Sequence, residues 1–190
     1  MKIKLLMLTV AVSCAFAGNA MALTKAEYKT QKDQISADYK VNRDKCATLK
    51  ANAKDICMSE AKGVEKVAKA ELEAQYKPSA KNDQKVSLAK ADAAYATAKE
   101  KCDDLSGNAK DVCVKDAKAA QVKAKEDAKV TKAAVDTSKK KAETMSEVKK
   151  EASAETREAD YKAAKERCDS LAGAAKDTCL NDAKVKYGMK

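Results

Sequence analysis

From residue 88 to 105 the apolar positions run Leu88, Ala91, Tyr95, Ala98, Cys102 and Leu105, in steps of three and four. That spacing is the seam of a helix packed on a helical partner. The same register returns in Ala154, Tyr161, Ala164, Cys168 and Leu171. It also returns in Ile35, Tyr39, Cys46 and Leu49, where polar Asn42 stands at the place of the other units' alanine. Three incoming helices are therefore predicted, each carrying a cysteine on its buried seam.

Each incoming helix leads into the same phrase. Between paired cysteines the chain reads ATLKANAKDI, DDLSGNAKDV and DSLAGAAKDT, with a leucine and an Ala-Lys-Asp triplet common to all three. Self-similarity at this scale signals an array of one supersecondary unit. Gly107 and Gly173 are placed to end the incoming helix in the left-handed conformation, and Ala51 is a weaker cap in the first unit. Asn52 and Asn108 suit the N-cap of the outgoing helix, with Asp55 and Asp111 near its positive end. The third unit has Ala174 there, leaving Asp177 to serve alone. In the second unit the outgoing seam continues through Ala109, Cys113, Ala117, Ala120 and Ala124. The fold expected is all-α: an elongated array of three antiparallel helical hairpins with alanine-rich seams.

The first 22 residues stand apart. Lys2 and Lys4 precede a mostly apolar run from Leu5 to Ala17, and Ala20-Met21-Ala22 is a small-x-small cleavage site. That pattern is a secretory leader, giving a mature chain from Leu23 with no transmembrane segment. The run is shorter than the ~20 residues a spanning helix needs. The alternative is a lipoprotein anchored through Cys14, behind the imperfect lipobox Ala11-Val12-Ser13. Units then follow at 23–77, 78–136 and 137–190. Pro78 marks the first boundary and Asp136-Thr137-Ser138 the best break in the second, unless one helix runs through from 108 to 172.

Six cysteines remain after the leader, and export with an even count favours disulfides. A copied unit carries its own partner, so the pairing expected is Cys46–Cys57, Cys102–Cys113 and Cys168–Cys179. Each bridge closes a 12-residue loop, for which chain entropy gives about 3 kcal/mol. These staples matter because alanine supplies most of the apolar content, and buried apolar area sets the gain at ~25 cal/mol per Å². With Ala51 at the cap and Asn42 on the seam, the first hairpin is expected to be the weakest.

Histidine and tryptophan are absent, which removes Ser-His and Cys-His pairs and imidazole ligands. No glycine-rich phosphate loop occurs, and cysteines spaced by ten are not a CxxC redox pair. The sequence implies no enzyme, no cofactor and no metal. Tyr39, Tyr95 and Tyr161 could stack on a sugar or base, but seam position makes them core residues first. Net charge is +10, much of it interleaved with acids on helix faces, as in Glu65/Lys69, Glu73/Lys77, Glu158/Lys162 and Asp182/Lys186. The most basic segment holds Lys118, Lys123, Lys125, Lys129, Lys132, Lys139, Lys140 and Lys141 against Glu126, Asp127 and Asp136. Those lysines are the candidate anion-binding residues. Export, and the lack of nearby arginine or aromatics, favour anionic envelope components over nucleic acid.

The repeat phrase YxxxKxxCxxLxxxAKDxCxxxAK resembles a group of small exported, Ala/Lys-rich proteobacterial proteins labelled cell-envelope or TolA-like. The likeness is carried by YKVNRDKCATLKANAKDICMSEAK, YATAKEKCDDLSGNAKDVCVKDAK and YKAAKERCDSLAGAAKDTCLNDAK. It implies location and architecture, since the group has no established activity. The function expected is a non-enzymatic periplasmic structural or binding protein associated with the envelope. A holdase-type chaperone is the alternative, for which the exposed apolar side chains Val64, Val67, Leu72, Val86, Val122, Val130, Val135, Met145 and Val148 would have to serve.

Overall fold

The computed structural model describes residues 23–137 and 142–189. The leader with Cys14, and the link carrying Lys139, Lys140 and Lys141, lie outside them. Six helices follow in order: α1 (Lys25–Cys46), α2 (Ala51–Tyr76), α3 (Ala80–Cys102), α4 (Gly107–Thr137), α5 (Ala142–Cys168) and α6 (Gly173–Tyr187). Each packs only on its neighbours in sequence. The described residues form one layer of antiparallel helices, and three disulfides staple alternate connections. A helix running unbroken from 108 to 172 is ruled out. α4 ends at Thr137, beside the Asp136-Thr137-Ser138 signal, and α5 returns along it.

The staples are Cys46–Cys57, Cys102–Cys113 and Cys168–Cys179, with Cα separations of 5.5, 5.7 and 5.7 Å. Such distances need close helices, which the alanine-rich interfaces allow. The first cysteine of each pair is 1% exposed and ends its helix. The chain then turns back through a tight bond, Leu105 N–H to the Cys102 carbonyl at 3.0 Å and its equivalents. This geometry corrects the expected caps. Gly107 and Gly173, at φ +54° and +55°, open the outgoing helices rather than closing the incoming ones. Ala51 adopts the same left-handed conformation at φ +48°, where a Cβ is unfavourable by roughly 1–2 kcal/mol.

Asn52 and Asn108 do not cap either. The Asn52 side-chain amide donates 2.8 Å to the Glu100 carbonyl and 2.8 Å to the Asp104 carboxylate, both in the second unit. Asn108 donates 2.9 Å to the Glu166 carbonyl in the third. The residue pairs are equivalent by the 56- and 66-residue repeat offsets, so one latch is used twice. It ties each turn to the incoming helix of the next unit and sets the three disulfide turns side by side at one end of the layer. Helix α6 packs on α5 alone, and Ala174 holds the latch position there. Asn52→Ala or Asn108→Ala should each cost about 1 kcal/mol in urea unfolding, whereas Ala174→Asn should change stability by less than about 0.5 kcal/mol.

Seam positions split. Ala91, Cys102 and Cys168 are buried and Tyr39, Tyr95 and Tyr161 half-buried. Leu49, Leu105 and Leu171 lie beyond the helices at the turns and are exposed by 40, 45 and 42%. In α4, Ala109, Ala120 and Ala124 face solvent, while Ala119, Gln121, Glu126 and Ala128 are buried. A helix with a neighbour on either side needs two narrow stripes, and a single seam describes only one of them.

Candidate interaction surface

Helices α2 and α3 approach closely at Gly63. A Cβ built on Gly63 would sit 2.9 Å from the Ala93 Cβ, so only glycine lets the backbones meet there. This contact forms the floor of a groove on one face of the layer, with a volume near 740 Å³. Val64, Val67, Ala68, Ala94 and Ala98 line it. Two interhelix ion pairs also line it, Glu60–Lys101 at 3.2 Å and Glu71–Lys90 at 2.8 Å, eleven residues apart along each helix. At 1.5 Å rise that is about 16 Å. Val64 is 60% exposed, an apolar side chain left at the groove. Of the other apolar candidates, Leu72 is buried in the interior at 3% exposure and Val135 is 56% exposed.

The opposite face of the same helices is polar. Asp92 of α3 binds Lys66 of α2 at 2.8 Å, Lys125 of α4 at 2.6 Å, and accepts from the Gln121 amide at 2.8 Å. Burial alone would push its carboxyl up; hydrogen bonds and charge from Lys125 and Lys66 outweigh this and hold it at about 2. A carboxyl depressed in the folded state stabilises the fold above its ordinary value of 3.8. That contribution is lost as pH falls from there towards 2. Allowing for the 30% exposure of Asp92, it amounts to about 1–2 kcal/mol. Asp92→Asn should lower stability by that amount at pH 7, with the two proteins converging near pH 2.

The basic segment is largely occupied by such internal pairs. Lys118 donates 2.9 Å to Gln121 and lies 5.2 Å from the Tyr95 ring centre. Lys125 binds Asp92, Lys129 binds Glu126 at 2.7 Å and Glu155 at 3.5 Å, and Lys132 binds Asp136 at 2.6 Å. Lys123 is exposed and has no partner among the described residues. Lys125 and Lys129 thus tie α4 to α3 and to α5, while Lys132 pairs within α4. Of the helix-face pairs, Glu65–Lys69, Glu73–Lys77 and Glu158–Lys162 form at 2.5, 3.6 and 2.6 Å.

Asp55, Asp111 and Asp177 are each the fifth residue of an outgoing helix, one turn beyond the end they were expected to serve. Tyr161 shares a cleft with Lys165, Asp177 and Lys184, and Tyr39 one with Ile35, Asn42 and Val64. One aromatic contact was not foreseen. Tyr28 and Tyr76 stack with centres 4.5 Å apart, and the Tyr28 hydroxyl donates 3.0 Å to Glu73, tying α1 to the far end of α2. Among the described residues no group of acids or cysteines is arranged to hold a metal ion, and no helix is long and apolar enough to cross a membrane. Three disulfides fit an oxidising compartment. No protein family, curated protein or solved structure matches this chain.

Proposed function

We propose that this is a non-enzymatic structural or binding protein of the cell envelope, exported to the periplasm. The observation that carries the reading is the covalently stapled single layer. Three disulfides staple alanine-rich helices in pairs and the Asn52 and Asn108 latches join the pairs, which gives a layer with two broad, chemically different faces in place of a deep pocket. Such a shape suits lateral contact with polymers or other proteins. Anionic envelope components would meet it at exposed lysines such as Lys123 and at the link Lys139–Lys141, in keeping with the likeness to TolA-like envelope proteins. The test is photo-crosslinking in intact cells from a probe at position 123, with thiol labelling before lysis. Adducts with envelope material and fully oxidised cysteines are expected. Free thiols in the intact cell would overturn the reading.

The exposed groove at Val64 favours one alternative, a holdase that takes apolar segments of unfolded clients. On that reading, purified protein suppresses aggregation of a heat-denatured client, and Val64→Glu with Val67→Glu abolishes the effect without lowering helix content. Aggregation that is unchanged by the wild-type protein removes the alternative.

A further inference from the structure

The joint between the first two units and the joint between the last two are built on one register but differ in chemistry at one place. By the repeat offsets, Ala70 of α2 corresponds to Glu126 of α4, and Ala89 of α3 corresponds to Glu155 of α5. Two small apolar residues in one joint are thus replaced by two carboxyl groups in the other. Glu126 is only 4% exposed. Its Oε1 takes the Lys129 ammonium at 2.7 Å, but its buried Oε2 has no hydrogen-bond partner. The same ammonium lies 3.5 Å from Glu155, so the two carboxyl groups, one from α4 and one from α5, converge on a single cation.

A buried oxygen left without a donor is costly, about 1–3 kcal/mol. Two carboxylates that share a site are costly as well, and both problems end if one proton lies between them. We propose that Glu126 keeps a proton on its otherwise unpartnered buried oxygen and donates it to the Glu155 carboxylate, an acid-strengthened bolt between the second and third hairpins. The protonated carboxyl donates to its ionised partner, and Lys129 balances the one remaining charge. Donors around the site, the Gln84 amide and the Thr144 hydroxyl among them, do not reach that oxygen. The cavity beside Glu126, near 370 Å³, receives Gln84 from α3, Lys132 and Asp136 from α4, and Glu151 and Val148 from α5. Of these, Lys132 and Asp136 pair with each other at 2.6 Å. Burial holds the Glu126 carboxyl above its ordinary value of 4.5, Glu155 adds to this, and Lys129 opposes it.

The sign follows. A carboxyl raised in the folded state binds its proton more tightly there than in the unfolded chain, so the bolt gains strength as pH falls from neutral towards 4.5. No histidine titrates in that window because the chain has none, and Asp92 fails only at lower pH. The experiment is thermal unfolding of the full oxidised chain between about pH 7.5 and about pH 5 at constant ionic strength. The wild-type melting temperature should rise by about 2–4 °C on acidification. Glu155→Gln supplies a permanent N–H donor and should remove the rise by holding the higher value throughout. Glu126→Ala with Glu155→Ala recreates the alanine pair of the first joint, so it should fold and show no rise. A wild-type melting temperature that is flat or falls on acidification overturns the proposal, as does an equal rise in the double-alanine protein.

Discussion

Replacing Cys168 and Cys179 by serine lowers the melting temperature by about 6–12 °C and releases α6 from the layer. The bridge closes a 12-residue loop worth about 3 kcal/mol, and each kcal/mol shifts a chain of this size by about 2–4 °C. Helix α6 is the most dependent on its staple. It has 15 residues, packs on α5 alone, and leaves Val185 83% exposed. A free helix of that length is marginal in water. α1 also has a single neighbour, but it is 22 residues long and is held at its far end by Tyr28 on Tyr76 and Glu73. The third bridge therefore outranks the first, in place of the order that Ala51 and Asn42 imply. Removing Cys102–Cys113 should matter least, because α3 and α4 are each held by a further neighbour. Circular dichroism melts of the three Cys→Ser pairs test this order. Equal losses from all three would mean that loop closure alone, and not packing, sets the contribution of each bridge.

Gly63→Leu should be the most damaging single substitution in the first joint, costing about 3 kcal/mol or more. An added Cβ alone meets the Ala93 Cβ at 2.9 Å, and an alanine Cβ moves only with its backbone. The larger side chain must part α2 from α3, disturbing the Lys66–Asp92 and Glu71–Lys90 pairs beside the contact. Gly63→Ala separates the two opposing effects: helix propensity gains about 1 kcal/mol, while overpacking costs about 1–3 kcal/mol. A net loss is expected, to be partly restored by adding Ala93→Gly. Denaturant unfolding of the single and double variants measures the coupling. A Gly63→Ala protein more stable than wild type would mean that the helices part without cost.

The hairpins, their staples and the break near Asp136 were legible because each rests on local chemistry: a heptad-like seam, a repeated cysteine pair, a cluster of poor helix formers. The lateral joints were hidden. Asn52 and Asn108 have the residue type and place of N-caps, and only a partner 48 or 58 residues away shows them to be latches. A signal was present in the contrast with Ala174, since a cap would be needed in all three units and a latch only where a further hairpin packs alongside, which α6 does not have among the described residues. Gly63 was equally silent, because a small residue inside a helix acquires meaning only from the facing backbone. The basic segment misled for a related reason. Its lysines read as surplus charge along the chain, but Asp92, Glu126 and Glu155, from three different helices, meet them in space.

The position of Gly63 recurs as Ala119 and then as Val185, widening from a hydrogen to a methyl to an isopropyl group across the layer. A fourth hairpin set on α6 by the same rule would find neither the Asn latch nor room for close approach. Each unit with a small residue and an asparagine has one more pair of helices beside it, roughly 16–20 Å of breadth, whereas the α6 edge presents valine and alanine at those places. Ala174→Asn with Val185→Gly would give the α6 edge the asparagine and the glycine of the first joint, and appending a further copy of the unit should then widen the ribbon by a fixed increment.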